Sequence, residues 1–138
     1  MVDLTGRSSS LSQYSIFIMA NKYGKIYTVT SISHLIPVRL YLTKLNYAHW
    51  KTLFTTHCSG FDVLMFILGT STVEEKETPE WIKADAVVLT WIFNTISESL
   101  LERVLNSEPS SSNAAWTFLE KLFKENKLSK TMELNAEL

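Results

Sequence analysis

The chain is poor in the residues that interrupt regular structure: its 138 residues include four glycines, three prolines and one cysteine. So few turn-formers leave little room for the many tight turns of an all-β fold. The lone Cys58 excludes an internal disulfide and a cysteine-rich zinc site, and it fits a reducing cytoplasmic or nuclear setting. Gly6, Gly24, Gly60 and Gly69 stand far apart, so no glycine-rich loop is present to cradle a phosphate. Long apolar runs are also missing. The longest early one, Tyr14 to Ala20, falls well short of the roughly 20 residues that span a bilayer, so no membrane partner is expected. Lys22 and Lys25 follow that run instead of preceding it, which argues against a secretory leader.

What is present is apolar and aromatic. Hydrophobic residues make up 46% of the chain and aromatics 12%, against 20% charged, a balance that suits one globular domain with a sizeable core. A net charge of −1 conceals an asymmetry. Residues 1–60 carry Arg7, Lys22, Lys25, Arg39, Lys44 and Lys51 against Asp3 alone, whereas acids outnumber bases in the remainder. The cations are dispersed, so the reading for RNA is a weak, non-specific partner held by the basic first part.

The Ser-rich opening, Met1 to Gln13, has too few large apolar residues to offset its ordering entropy. Ser15-Ile16-Phe17-Ile18 and Ile26-Tyr27-Thr28-Val29 flank an Asn21-Lys22-Tyr23-Gly24 turn signal, which predicts a short β-hairpin. Residues 1–35 therefore read as a flexible or β-prone extension, and residues 36–138 as a mainly α, small helical bundle. Asn46 is a good N-cap for a stripe of Tyr47, Trp50, Leu53, Phe54 and His57 running to about Cys58. A shorter apolar stretch, Phe61 to Leu68, leads into an acidic linker from Thr72 to Thr78. Thr78-Pro79-Glu80 then opens a helix to about Thr95, combining a capping hydroxyl, a preset φ and an acid at the positive helix end.

That helix is apolar on two adjoining faces, Trp81/Ala84/Val88/Trp91/Ile92 and Ile82/Ala86/Leu89/Phe93/Ile96, which predicts a central position. Ser97 caps a short helix expected to turn Leu100, Leu101, Val104 and Leu105 inward, and Glu108-Pro109 breaks it. Asn113 reads as the cap of a helix with Ala115, Trp116, Leu119, Leu122 and Phe123 inward. A further helix-prone segment, Leu128 to Leu138, keeps an apolar face with nothing after it to cover it. A truncated chain, or one completed by a partner through that face, is the expectation.

Chemistry is hard to place on these residues. His34, His49, His57 and Cys58 are the soft metal ligands, but neighbours on a helix diverge by about 100° and positions 49 and 57 lie two turns apart, so no metal site is predicted. A Cys58 nucleophile with His49 or His57 as base lacks an orienting carboxylate and an oxyanion loop. Glu98 and Glu102, beside Arg103, read as a solvated face. Trp50, Trp81, Trp91 and Trp116 each fall on an aliphatic stripe and read as core, not as base-stacking platforms. No catalytic residue, cofactor or small-molecule substrate is expected.

Five segments, in order, carry a resemblance: Pro37-Val38-Arg39-Leu40; Leu45-Asn46-Tyr47-Ala48-His49-Trp50; the Trp81 to Ile92 helix; Ile96-Ser97-Glu98-Ser99-Leu100; and Ala115-Trp116 through Leu119-Glu120-Lys121-Leu122-Phe123. Over about Ile32 to Leu138 the chain resembles the N-terminal, capsid-like part of plant copia-type LTR-retrotransposon Gag polyproteins. The matching positions are Asn46, Tyr47, Trp50, Trp81, Trp91, Ile92, Trp116, Leu119 and Phe123. The resemblance implies an all-helical capsid-like fold, self-association with itself or a longer Gag, and packaging of element RNA. The sequence departs from that family in lacking the helices that would follow Leu138 and any zinc knuckle, and it holds no protease, integrase or reverse-transcriptase motif.

Overall fold

A computed structural model describes Ile16 and residues 20–137 of the chain, with side chains described as far as Lys127. Among the described residues the architecture is a bundle of seven helices: α1 (Ile32–Leu35), α2 (Tyr47–Gly60), α3 (Leu64–Leu68), α4 (Val73–Lys76), α5 (Pro79–Asn94), α6 (Glu98–Asn106) and α7 (Ser112–Glu137). The mainly α reading holds, and no strand occurs among the described residues. One isolated parallel bridge joins Leu40 to Ile96.

The hairpin expected near the start does not form within the described residues. Its turn does: Tyr23 N donates to Asn21 Oδ1 at 2.9 Å and Gly24 N to the Asn21 carbonyl at 3.0 Å. The chain then enters a 3-10 helix, Gly24–Thr28, where the sequence predicts a strand. The physical reason is the period. Tyr23 and Ile26, three residues apart, both bury, and Tyr23 meets Phe66 edge-on with ring centroids 5.0 Å apart. A spacing of three suits the 3-10 turn and not the alternation of a strand. The hairpin's other arm, Ser15 to Ile18, lies outside the described residues except for Ile16, which is helical. Tyr23, Ile26 and Ile32 join the same core as the later helices, so the packed unit begins ahead of position 36.

The acidic linker folds locally as α4. Thr72 Oγ1 accepts from Glu75 N at 3.1 Å while Glu75 Oε1 accepts from Thr72 N at 2.9 Å, a reciprocal capping box that a bare acidic run conceals. At the head of α5, Thr78 Oγ1 accepts from Trp81 N at 3.3 Å, with Pro79 in the first turn as expected.

α5 is central on one side only. Trp81, Ala84, Asp85, Val88, Trp91 and Ile92 bury, while Ala86 and Ile82 are exposed and Leu89 and Phe93 are half-buried. α7 covers the inner side and also packs on α3, α6 packs on α7, and α1 rests against α5. On α6, Leu100 and Val104 point inward as predicted; Leu101 is only half-buried and Leu105 is 50% exposed. In nine residues a single stripe fills the available groove, leaving these two on its shoulder.

The two helices expected around Asn113 and Leu128 run as one, Ser112–Glu137. Its cap is Ser111, whose Oγ accepts from Ala114 N at 3.1 Å, and not Asn113. The Asn113 amide instead donates to the Ile67 carbonyl at 2.7 Å, tying α7 to the end of α3.

Candidate functional site

The positions carrying the family resemblance converge on the interior. Asn46 occupies the N-cap position of α2, yet its side chain makes no capping bond. Its Oδ1 accepts from Tyr41 N at 3.1 Å and its Nδ2 donates to the Arg39 carbonyl at 2.9 Å, fixing the segment that enters the helix. That segment is held from its other side: Leu40 N donates to the Thr95 carbonyl at 2.9 Å and Ser97 N to the Leu40 carbonyl at 2.8 Å. Trp50, fully buried, donates its Nε1 proton to Thr95 Oγ1 at 3.1 Å, and Thr95 Oγ1 donates in turn to the Trp91 carbonyl at 2.8 Å.

Aromatic contacts extend this node into α7. Trp50 stacks on Trp116 with centroids 5.2 Å apart, Phe54 lies 5.4 Å from Trp116, and Tyr47 stacks on Phe123 at 4.8 Å. Asn46, Tyr47, Trp50, Trp116 and Phe123 thus form one assembly, with Leu119 fully buried on the same helix. Trp91 belongs to a second cluster, 4.6 Å from His57, and Trp81 to a third, 5.1 Å from Phe66. Trp81 Nε1 also donates to Ser71 Oγ at 2.9 Å, and Ile92 is fully buried.

Sequence reasoning missed several residues that position this node. Asp85, buried in mid-helix, accepts from Ser112 N at 3.1 Å through Oδ1, while Ser112 Oγ donates to the Asp85 carbonyl at 2.8 Å. A carboxylate from α5 therefore serves the positive end of α7 from a distance of 27 residues in sequence. Burial pushes the Asp85 pKa up, and the bonds from Ser112 only partly oppose it. An acid set on the apolar stripe between Trp81, Ala84 and Val88 is the visible trace of this role. Gly69 ends α3 with φ of 70°, and a Cβ there would stand 2.8 Å from the Asn113 side chain.

The reactive side chains are placed to be inert. Cys58 is fully buried and its thiol is pushed up to about 12 by that burial. His57, also buried, lies 4.6 Å from both Phe61 and Trp91, and burial lowers its pKa. Its Nε2 has no hydrogen-bond partner among the described residues. A neutral imidazole between two rings beside a protonated thiol is packing, and it activates no nucleophile. Tyr47 is held protonated to about 12 by burial, with the nearby Glu120 charge acting in the same direction. No group of three or more His, Cys, Asp or Glu among the described residues could hold a metal ion. A recess of about 230 Å³ is bordered by Ala20, Lys22, Tyr23, Glu75, Thr78 and Glu80, and two of these, Lys22 and Glu75, already pair with each other at 3.0 Å.

The surface offers more. Ile82 is 56% exposed, and with Ala86, Leu89 and Phe93 it continues along the outer side of α5 at spacings of four, three and four residues. No described helix is long and apolar enough to cross a membrane. The side chains of Leu128 to Leu138, expected to mediate association, lie outside the described residues. The chain matches no protein-family model, no curated protein and no solved structure.

Proposed function

We propose that this chain is a non-catalytic, Gag-like assembly module whose work is self-association, in line with its resemblance to copia-type capsid-like regions. The observation that carries the reading is the second apolar face of α5. Ile82 and Ala86 are exposed and Leu89 and Phe93 half-buried, although the residues around them are those of an interior helix. The second face is packed only in part, since Leu89 and Phe93 rest against the core and Ile96 is buried, and its Ile82 and Ala86 end is left available to a partner. Leu101 and Leu105 on α6 leave further apolar area in reach of solvent. The inert states of His57 and Cys58 favour a binding role over turnover.

RNA ranks second as a partner. Of the cations in the basic first part, Lys22 is paired with Glu75 and Lys25 with Asp62, which reduces the positive surface left for phosphates. Light scattering after size exclusion, at low and high salt and with or without RNA, tests the reading. A homogeneous oligomer without RNA is expected, and Ile82→Glu with Leu105→Glu is expected to return it to monomer without lowering its melting temperature. A wild-type monomer that grows only when RNA is added at low salt refutes self-association and favours a non-specific RNA-binding adaptor that uses the basic first part.

A further inference from the structure

The asymmetry of charge along the sequence becomes spatial once the chain folds, because α5 separates the two signs. At its C-terminal end the Leu40 bridge to Ile96 brings in the segment from Arg39 to Asn46 and the first turns of α2. Arg39, Lys44 and Lys51 sit here without an ion pair among the described residues. Arg39 Nη1 donates to the Ile96 carbonyl at 2.8 Å, and Lys44 and Lys51 lie over the rings of Tyr41 and Tyr47 at 4.2 and 5.8 Å. Glu98, next along the chain, offsets one of the three charges. At the N-terminal end, α4 and the start of α5 present exposed Glu74, Glu77 and Glu80, also without ion pairs among the described residues; Lys76 and Lys83, the latter over the Tyr27 ring at 5.3 Å, offset two of them and leave the corner net acidic. Sixteen residues of helix at about 1.5 Å each hold the two corners roughly 24 Å apart, well beyond a Debye length of about 10 Å at 0.1 M salt. They cannot neutralise each other within one molecule.

We infer that a second copy of this chain is the partner of each corner: the basic corner of one molecule docks on the acidic corner of the next. The inference rests on the assembly reading above and specifies its geometry. Because the two patches differ, the contact is heterologous, and repetition gives a ring or an open chain and not a closed two-fold dimer. Complementary charge at the two ends sets the order head to tail and opposes head to head.

The test is charge reversal with rescue in the full chain. Lys44→Glu/Lys51→Glu and Glu74→Lys/Glu77→Lys are compared with wild type by sedimentation and light scattering across protein concentration at low salt. All four positions lie outside the core, Lys51 half-buried and the others exposed, and thermal melting confirms that each variant folds. Each double variant alone is expected to self-associate at least about tenfold more weakly, because reversal turns attractive pairs into repulsive ones. Mixing the two variants is expected to restore association as an alternating assembly, because the unaltered corners still match and the two reversed corners are again opposite in sign. If both variants associate as wild type does, the head-to-tail contact is refuted and the assembly reading stands. The contact is equally refuted if Lys44→Glu/Lys51→Glu loses only RNA retention. Two monomeric variants that fail to rescue each other also overturn the charge pairing, and a wild type monomeric at every salt concentration overturns both readings.

Discussion

The bond between Trp50 and Thr95 ties the start of α2 to the end of α5, and its removal has a cost that depends on which partner goes. Trp50 is fully buried and its Nε1 lies 3.1 Å from Thr95 Oγ1. Thr95→Val keeps the shape but strands the indole N–H in the core, for which about 1 to 3 kcal/mol is expected. Trp50→Phe removes the donor and leaves a void, costing about 2 to 3 kcal/mol from lost packing and the lost bond together. The double variant has no stranded donor, so its cost should fall short of the sum by about 1 to 2 kcal/mol. Urea unfolding followed by circular dichroism measures the cycle without relying on the altered tryptophan fluorescence. In melting temperature, Thr95→Val should appear as a fall of about 8 °C, taking roughly 4 °C per kcal/mol for a domain of this size. Costs that add within about 0.5 kcal/mol would falsify the coupling and with it the claim that this bond organises the node.

Gly69→Ala is expected to destabilise by about 2 kcal/mol or more in the same assay, because φ is 70° there and the new Cβ would displace the Asn113 amide from its bond to Ile67. For Asp85→Ala the expected loss is about 1 to 2 kcal/mol, since Ser112 N keeps no acceptor; Asp85→Asn should cost less, retaining an acceptor at a site where burial already disfavours the charge. An alanine variant as stable as wild type removes Asp85 from the support of α7. Native protein at pH 8 should react with a thiol reagent no faster than it unfolds, given the buried Cys58 thiol at about 12; rapid labelling contradicts its placement. His57 has a folded pKa depressed by burial, so the unfolded chain protonates first as pH falls. Its contribution is full above about pH 6.5 and is lost as pH drops through that value toward the folded one. His57→Phe should flatten stability between pH 7 and 5, and an unchanged slope refutes the assignment.

The helices are legible in the sequence where one signal suffices. Thr78 and Pro79 start α5, and the spacing of Tyr47, Trp50, Phe54 and His57 marks α2, because capping chemistry and a 3.6-residue period are local. Where a residue answers to a distant part of the chain, the local reading fails. Asn46 resembles a cap in sequence, but its amide serves Arg39 and Tyr41; Asn113 resembles one and serves Ile67. The 3-10 turn at Gly24–Thr28 reads as a strand because Ile26, Tyr27 and Val29 favour extended backbone intrinsically, and only Phe66, forty residues away, decides that Tyr23 and Ile26 face the same way. Two-faced α5 reads as buried all round because periodicity counts apolar faces and cannot count the helices available to cover them.

The positions that carry the resemblance and the positions available to a partner are largely different residues, so the two kinds of position answer to different physical demands. Trp50, Trp81, Trp91, Ile92, Trp116, Leu119 and Phe123 are all buried, and Asn46 spends its side chain on neighbouring backbone. The pattern at such positions constrains how helices dock on one another and leaves the choice of partner to the surface. Residues able to recognise a second molecule are Ile82, Ala86 and Leu105 on the apolar side and Arg39, Lys44, Glu74 and Glu77 at the ends of α5. Only Arg39, within Pro37-Val38-Arg39-Leu40, and Ile82 and Ala86, within the Trp81 to Ile92 helix, also belong to the segments of the resemblance. Interior substitutions should therefore change stability and association together, whereas Ile82→Glu or Lys44→Glu should change association at constant stability. A protein in which the two quantities move in step for both classes of variant has its assembly governed by folding alone, and the surface carries no separate function.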